Sequence, residues 1–199
     1  MKSARRADYM WAFVCLLVIV VVMLLTGCAE TLVTRPPTPW EADWMRAGLA
    51  PLVRALGRIA PGRAPADGCL VFGVVDSPNV AGYAASRDRP GCGNLEVTTG
   101  TITTLGLAEF RAILAHELAH VALGHAGEWK TGQRAQAEEA EADALGARLL
   151  LSAWGREACL AMARLYERHA ALAPGWRSPV HPPLLERAQI ARAACGVGL

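Results

Sequence analysis

Two histidines and a glutamate stand close together in the segment His116-Glu117-Leu118-Ala119-His120. On an α-helix, residues four apart project from the same face, so both imidazoles could bind one metal ion. Glu117 follows the first histidine directly and could accept a proton from a water molecule at that ion. This HExxH pattern therefore predicts the active-site helix of a zinc peptidase.

A third ligand is expected from the segment 133–153, whose Ala, Glu, Leu and Arg content favours a helix. Three glutamates compete for this role, namely Glu138, Glu139 and Glu141. Only Glu139 has a carboxylate one turn further along its own face, at Asp143, which could accept a ring N–H from a ligand histidine. We therefore predict that Glu139 binds the metal, and that the other two glutamates lie on the solvated face of the helix.

Two histidines and one glutamate would leave the fourth tetrahedral position of a zinc ion open to water. That arrangement is typical of catalytic rather than structural zinc sites. The sequence thus predicts one catalytic zinc ion per chain.

His125 is the remaining histidine near this motif. The metzincin class of zinc peptidases has a third histidine six residues after the second, a position that is Ala126 here. On a continuing helix, His125 would point about 140° away from His120, so it could not join the site unless Gly124 ended the helix. We expect His125 to be a cationic or hydrogen-bonding residue at the helix C-terminus.

The order of short motifs between residues 70 and 190 resembles that of the HtpX and CAAX-prenyl-endopeptidase type of gluzincin metallopeptidase, in particular its small periplasmic members. The matching text comprises Val74-Val75-Asp76-Ser77-Pro78, Asn79-Val80-Ala81-Gly82-Tyr83, Val97-Thr98-Thr99-Gly100, the helix from Ala112 to Val121, Glu139 to Gly146, and His181-Pro182-Pro183 followed by Arg187. The resemblance implies zinc ligation by His116, His120 and Glu139, Glu117 as the base, and Asp143 as the helper carboxylate.

The resemblance also suggests a catalytic role for His181, in the loop 178–183 before the last predicted helix. Such a loop can reach the metal site, where the imidazole could stabilise an oxyanion or occupy the open zinc position as a gate. Alternatively, His181 caps the helix that Pro182 and Pro183 begin.

The elements that must position these residues follow from composition and periodicity. We predict a helix over 40–58, strands over 70–76, 81–86 and 94–99, and helices over 107–125, 133–153, 155–171 and 183–195. Strands followed by helices indicate the α+β class, here a single zincin-like domain whose small sheet packs on a mostly helical body. The strand 94–99 is our predicted sheet edge beside the metal, to which an extended peptide could add.

The N-terminus has the features of an export signal. Basic residues precede an apolar run from Met10 to Leu25. The segment Leu25-Thr26-Gly27-Cys28 lies at the end of this run. This pattern predicts a lipoprotein signal peptide over 1–27, with Cys28 as the acylated first residue of the mature protein. The run is shorter than the roughly 20 residues that span a bilayer, which disfavours an uncleaved anchor. Residues 28–39 would form a tether and 40–199 the zinc metallopeptidase domain.

The predicted compartment is the bacterial cell envelope, facing the periplasm. By resemblance to known lipoproteins, Ala29 after the acylated cysteine favours the outer membrane. Without residues 1–27, the chain has 17 basic and 17 acidic residues. This balance, with no basic stripe or stacking-aromatic motif, argues against nucleic acid as a partner.

Four cysteines remain after the signal peptide and the lipidated residue are set aside. An even number in an oxidising compartment suggests two disulfides, for which three pairings are possible. We favour Cys69–Cys92, which would hold the Gly- and Cys-rich segment 84–93 against the first strand. The second would be Cys159–Cys195, joining the last helix to an earlier one.

These observations predict a lipid-anchored zinc endopeptidase that hydrolyses misfolded or misassembled envelope proteins. Its expected partners are a polypeptide substrate and the membrane, with envelope assembly factors as a further possibility. The alternative is a zinc-binding, chaperone-like assembly factor with little turnover, as would result if His181 closed the fourth zinc position. A zinc-stabilised structural protein is a third alternative, in which chelation would unfold the chain.

Overall fold

The computed structural model describes residues 34–66, 68–86, 91–125 and 131–196. The predicted signal peptide and Cys28 lie outside this part of the chain. The described strands are β1 (Thr34–Arg35), β2 (Leu70–Val75), β3 (Gly82–Ser86) and β4 (Gly93–Thr98), and the described α-helices are α1 (Pro39–Ile59), α2 (Thr99–Thr104), α3 (Leu107–Leu123), α4 (Gln133–Trp154), α5 (Arg156–Leu172) and α6 (Leu184–Ala194). None of these helices is both long enough and apolar enough to cross a bilayer.

The architecture is α+β, as predicted, with a small mixed sheet beside a mostly helical body. Each predicted helix and strand is found with ends within two residues of the expected positions. The short elements β1 and α2 were missed, because two or six residues are too few to show a clear periodicity.

The sheet has the order β1-β2-β4-β3, in which β2 and β4 are parallel and the other two pairs are antiparallel. The prediction that 94–99 forms the sheet edge is therefore wrong. Leu95 and Val97 are completely buried, and both sides of β4 are hydrogen-bonded to neighbours, as expected for an inner strand. The edge strands of the described sheet are β1 and β3, and β3 is the one that packs against the HExxH helix α3.

Helix α3 occupies the centre of the helical body and packs against α1, α4, α5 and β3. Phe110, Leu114 and Leu118 are completely buried. A helix with apolar residues on several sides must be surrounded by other elements, which explains why α3 is covered on more than one face. The HExxH motif is in the C-terminal half of this helix.

The chain before α1 is joined to the domain. Thr34 and Arg35 pair with β2, and the Arg35 guanidinium donates to Glu41 in the first turn of α1 (2.7 and 2.8 Å). The tether predicted over 28–39 thus differs from the structure at residues 34–38, which follow the domain surface. Pro36, Pro37 and Pro39 in this segment fit a short edge strand that ends before them and a helix that starts at the last of them.

Both favoured disulfides are present in the structure. Cys69–Cys92 links the ends of β2 and β4, and Cys159–Cys195 links α5 to the residue after α6. Residues 87–90 of the segment that the first disulfide was expected to hold lie outside the described part of the chain.

Candidate active site

Three side chains from two neighbouring helices meet at one point. The Nε2 atoms of His116 and His120 are 3.0 Å apart. The Glu139 carboxylate faces both, with Oε2 at 3.2 Å from His116 Nε2 and Oε1 at 3.3 Å from His120 Nε2. Within the described residues, these three form the group of histidine, cysteine and acidic side chains that could hold a metal ion.

The close approach of α3 and α4 brings the three side chains together. Glu139, Asp143 and Gly146 lie at positions i, i+4 and i+7 of α4, so they share one face. Gly146 packs on the backbone of α3 at Ala115, where a Cβ atom would lie 3.1 Å from the carbonyl oxygen. The glycine therefore permits the helix spacing at which the carboxylate reaches the histidines.

Asp143, the predicted helper carboxylate, contacts His116 on the side away from the cluster. The Nδ1 atom of His116 lies 2.9 Å from Asp143 Oδ1. A hydrogen bond here orients the ring and leaves Nε2 directed at the metal position. Asp143 is completely buried, so its charge requires further partners.

Those partners are Arg187 and Tyr166, neither of which was predicted from the sequence to belong to the site. Arg187 donates from Nε to Asp143 Oδ2 (2.7 Å) and from Nη2 to Asp143 Oδ1 (2.9 Å). The Tyr166 hydroxyl also donates to Asp143, and its ring lies under the guanidinium at 4.4 Å. Arg187 belongs to the motifs that resemble the family, but no role was predicted for it. No sequence pattern pointed to Tyr166.

The two carboxyl groups that face His116 are held in their ionised form. Burial opposes ionisation of Glu139, but the facing imidazoles and Arg187 outweigh it and hold the pKa of this carboxyl far below its usual range. Burial likewise opposes ionisation of Asp143, yet Arg187 and His116 lower its pKa to about 2. For His116, burial favours the neutral ring, while the Asp143 carboxylate raises the pKa to about 10.

Glu139 Oε2 faces donor groups without a well-aligned hydrogen bond to any of them. This buried oxygen lies 3.2 Å from both His116 Nε2 and Arg187 Nη2. A buried charged acceptor that is poorly hydrogen-bonded is costly. A metal ion held by this carboxylate and the two histidines would satisfy it, so the donor set fits a metal.

Glu117 lies beside the cluster, on the wall of the same cavity. Burial raises the pKa of its carboxyl to about 7. Gly82, the first residue of β3, packs directly on it, since a Cβ atom at this position would lie only 2.7 Å from Glu117 Oε1. The carboxylate is thus confined between α3 and the start of the edge strand.

His181 reaches the cluster from its loop. Its Nε2 atom lies 3.4 Å from Glu139 Oε2, and its Nδ1 atom is 2.9 Å from the Ser178 hydroxyl. The alternative role as a helix cap is not supported, because α6 begins at Leu184, after the N-cap residue Pro183, without a side-chain cap hydrogen bond. The Trp176 ring packs near the imidazole, with centroids 6.0 Å apart.

His125 contacts the site on the other side of His120. Gly124 adopts the left-handed conformation (φ 72°) and ends α3, so the chain turns and places His125 Nδ1 at 2.9 Å from His120 Nδ1. The hydrogen-bonding role expected for His125 is present. Glu141 was predicted on a solvated face and is mostly exposed, but its Oε2 lies 3.4 Å from His125 Nε2.

A cavity of about 780 Å³ opens over the cluster. One wall is the edge strand with its preceding residues, from Val80 to Ala85. The lining also includes apolar side chains of α5, the following loop and α6, namely Leu165, Leu172, Trp176, Val180 and Leu184. The cavity therefore combines the edge strand, an apolar surface and the cluster.

Comparison with known proteins gives one family. Residues 39–135 match the family model described as Peptidase family M48, whose members are metal-dependent peptidases. The matched segment contains α1, the sheet strands from β2 to β4, and the HExxH helix, and it ends four residues before Glu139. No curated protein matches the chain. The family match and the metal-ligand geometry together support a metallopeptidase.

Proposed function

We propose that this protein is a zinc-dependent endopeptidase of the gluzincin type. The observation that carries the proposal is the His116–His120–Glu139 cluster with Glu117 beside it. Around a tetrahedral zinc ion with ligands at about 2.0 to 2.1 Å, the ligand atoms are about 3.3 Å apart. The separations of 3.0, 3.2 and 3.3 Å in the cluster are close to that value.

A zinc ion at this position supplies Lewis-acid chemistry, because it polarises the carbonyl of the scissile peptide bond and lowers the pKa of water. The protein supplies the proton transfers. Glu117 accepts the proton of the attacking water and passes it to the departing amine nitrogen. Its pKa of about 7 places the carboxyl where both steps are feasible near neutral pH. The Nε2 atom of His181 can donate to the negatively charged oxygen that develops on the substrate.

The cavity supports an extended polypeptide as the substrate. The edge of β3 that no described strand covers has backbone groups that can pair with an added strand. Leu172 and Trp176, which also line the cavity, are exposed, so they can contact apolar side chains of that strand. Such side chains are accessible mainly in unfolded or misassembled proteins, which favours these as the substrate class.

We further propose that the enzyme acts at the bacterial envelope as a lipid-anchored, periplasm-facing protein at the outer membrane. The lipobox ending in Cys28 supports the anchor. The two disulfides support an oxidising compartment.

The test combines metal analysis with proteolysis of an unfolded protein substrate. Wild-type protein should contain one zinc ion per chain and cleave the substrate. Glu117→Gln should keep its zinc and lose cleavage, because the amide cannot accept the water proton. His116→Ala, by contrast, should lose both. Cleavage by the Glu117→Gln variant at the wild-type rate would reject Glu117 as the base.

The position of His181 supports a second candidate, an assembly factor whose zinc site is closed by this imidazole. This candidate predicts that wild-type protein binds zinc but does not cleave, and that His181→Ala releases cleavage activity. A purely structural zinc site predicts instead that chelation unfolds the protein. The endopeptidase proposal predicts a folded but inactive protein after chelation.

A further inference from the structure

The two ligand histidines are supported differently on the side away from the metal position. His116 faces the buried carboxylate of Asp143. His120 Nδ1 instead faces another imidazole nitrogen, His125 Nδ1, at 2.9 Å. A hydrogen bond between two ring nitrogens requires one to donate and the other to accept, so this contact constrains the protonation of both rings.

The direction of that hydrogen bond follows from the metal site. His120 directs Nε2 at His116 and Glu139, so this nitrogen must carry a free lone pair when it binds a metal. A neutral imidazole then carries its proton on Nδ1 and donates it. His125 Nδ1 must be the acceptor, and the proton of His125 therefore lies on Nε2, the atom 3.4 Å from Glu141 Oε2.

The backbone holds His125 in this position. The left-handed Gly124 ends α3, and the His125 N–H donates to the His120 carbonyl oxygen (3.1 Å). The Ser86 hydroxyl at the end of β3 donates to the His125 carbonyl oxygen (2.7 Å). The His125 side chain is mostly buried, whereas the Glu141 side chain is 65% exposed. The His125 imidazole is thus fixed in place. In the hydrogen-bonded series His120–His125–Glu141, the exposed Glu141 side chain is the member that can change position.

We propose that His125 is a positioning residue that fixes the tautomer and ring orientation of His120, with Glu141 in turn orienting His125. The proposal rests on the proposed metal site. His125 contacts the Nδ1 side of His120, opposite the nitrogen that faces the cluster, so it acts through His120 and not as a ligand. Partners of this kind typically contribute 10- to 100-fold to metal affinity.

The decisive variants replace His125 with residues that differ in their ability to accept a hydrogen bond. In His125→Asn, the side-chain oxygen can take the place of Nδ1 and accept from His120. In His125→Leu, the space is filled without an acceptor. Zinc affinity, measured by chelator competition, should fall about 10- to 100-fold in His125→Leu and by less than about 5-fold in His125→Asn.

A second pair of variants tests Glu141. Glu141→Gln keeps an oxygen that can accept from His125 Nε2, and Glu141→Ala does not. Because water can replace this exposed partner, Glu141→Ala should lower zinc affinity only by about 2- to 5-fold, and Glu141→Gln should match the wild type. The metal-free variants should unfold at the same temperature as the metal-free wild type, which separates positioning from a general loss of stability.

Nuclear magnetic resonance of the zinc-loaded wild-type protein tests the inference without any substitution. The chain has five histidines, so their ring nitrogens can be resolved by ¹⁵N labelling. We expect His120 to be protonated at Nδ1 and His125 at Nε2 only.

The outcomes separate this inference from the proposed function. Wild-type protein that binds no zinc would reject the metal site itself. If the wild type binds zinc and His125→Leu binds it equally well, only the positioning role fails. Equal losses in His125→Leu and His125→Asn would assign the effect to ring packing and reject hydrogen-bond acceptance. A proton on His125 Nδ1 in the loaded protein would also overturn the proposal.

Discussion

At the scale of single residues, both histidines of the cluster are held by a contact on the side that points away from it, and Glu117 beside the cluster is confined by a glycine. Asp143 holds His116, His125 holds His120, and Gly82 lies against Glu117. A catalytic group displaced by about 1 Å can lose about 100-fold in rate. The residues around the cluster are therefore expected to influence activity without touching the substrate.

Gly82→Ala should reduce activity while leaving the metal in place. The added Cβ would lie 2.7 Å from Glu117 Oε1 and 2.9 Å from Ile113 Cγ2, which forces the carboxylate to move. We expect kcat to fall about 100-fold with one zinc ion still bound per chain. Gly62→Ala is the control, because no atom lies within 4 Å of its Cβ position. Wild-type kcat in the Gly82→Ala variant would contradict the confinement of Glu117.

Arg187→Met should strongly destabilise the metal-free protein. Arg187 is buried and compensates the charges of Asp143 and Glu139, so its removal leaves two buried carboxylates that share only the facing histidines as counter-charge. A cost of about 3 to 5 kcal/mol in the free energy of unfolding is expected, to be measured with denaturant.

The matched control is Arg192→Met on the same helix. Arg192 pairs with Glu167, and both side chains are more than one third exposed, so the cost should stay below about 1 kcal/mol. Similar losses for the two arginine variants would show that the buried network contributes no more than a surface ion pair.

At the scale of the elements, the spacing of α3 and α4 decides whether ligands from both helices can share one ion. The HExxH motif provides two ligands from α3, and the carboxylate comes from α4. These helices are in contact at Gly146, where the Cβ position lies 3.1 Å from both the carbonyl carbon and oxygen of Ala115 and 3.0 Å from Met162 Cε. Backbone atoms of a packed helix cannot move aside for an added Cβ atom as the end of a flexible side chain can.

Gly146→Ala should therefore move α4 away from α3 and weaken the site. We expect a loss of about 1 to 3 kcal/mol in the free energy of unfolding, together with weaker zinc binding because Glu139 moves with its helix. Gly57→Ala in α1 is the control, since the nearest atom lies 4.0 Å from its Cβ position. That change should be neutral or stabilise the protein by up to about 1 kcal/mol. Unchanged zinc affinity in Gly146→Ala would show that the ligands do not depend on this spacing.

At the scale of the whole molecule, ion pairs join the first helix to the sheet, one disulfide joins two strands, and another joins two C-terminal helices. Arg35 bridges Glu41 of α1 and Asp76 after β2, and the two disulfides join β2 to β4 and α5 to the end of α6. Residues distant in the sequence are thereby connected around the site. The domain's acid stability is expected to depend on the buried member of the ion pair, Glu41.

Burial disfavours the charged form of Glu41, but the hydrogen bonds from Arg35 outweigh this and lower its pKa from 4.5 to about 2. A carboxyl whose pKa is lowered in the folded state stabilises the protein fully above the unfolded pKa. It loses that contribution as the pH falls toward the folded value. Wild-type stability should therefore decline between about pH 5 and pH 2 in part through this group.

Glu41→Gln should remove that part of the pH dependence. The variant should be less stable than the wild type by about 1 to 2 kcal/mol at pH 7, and the difference should shrink as the pH falls toward 2. Denaturant unfolding at several pH values measures it. Asp43→Asn, at an exposed position of the same helix, is the control. A difference that stays constant from pH 7 to pH 2 would exclude protonation of Glu41 as the cause.

Helix periodicity and residue type were sufficient for the local part of this site. The i and i+4 spacing places His116 and His120 on one face, and the same spacing links Glu139 to Asp143. These relations hold on any regular helix, so they could be predicted before the arrangement of the helices was known. The class of the fold and the two disulfide pairs were likewise predicted, from the order of the elements and from the few available cysteines.

Only the tertiary structure determined the features that depend on contacts between segments distant in the sequence. The inner position of β4 and the outer position of β3 result from strand order, because a strand's own periodicity does not specify its neighbours. Arg187 and Tyr166 reach Asp143 from two other helices, and His125 reaches His120 only because Gly124 turns the chain. Ring orientation and counter-charge depend on packing in three dimensions, and no spacing along one helix contains that information.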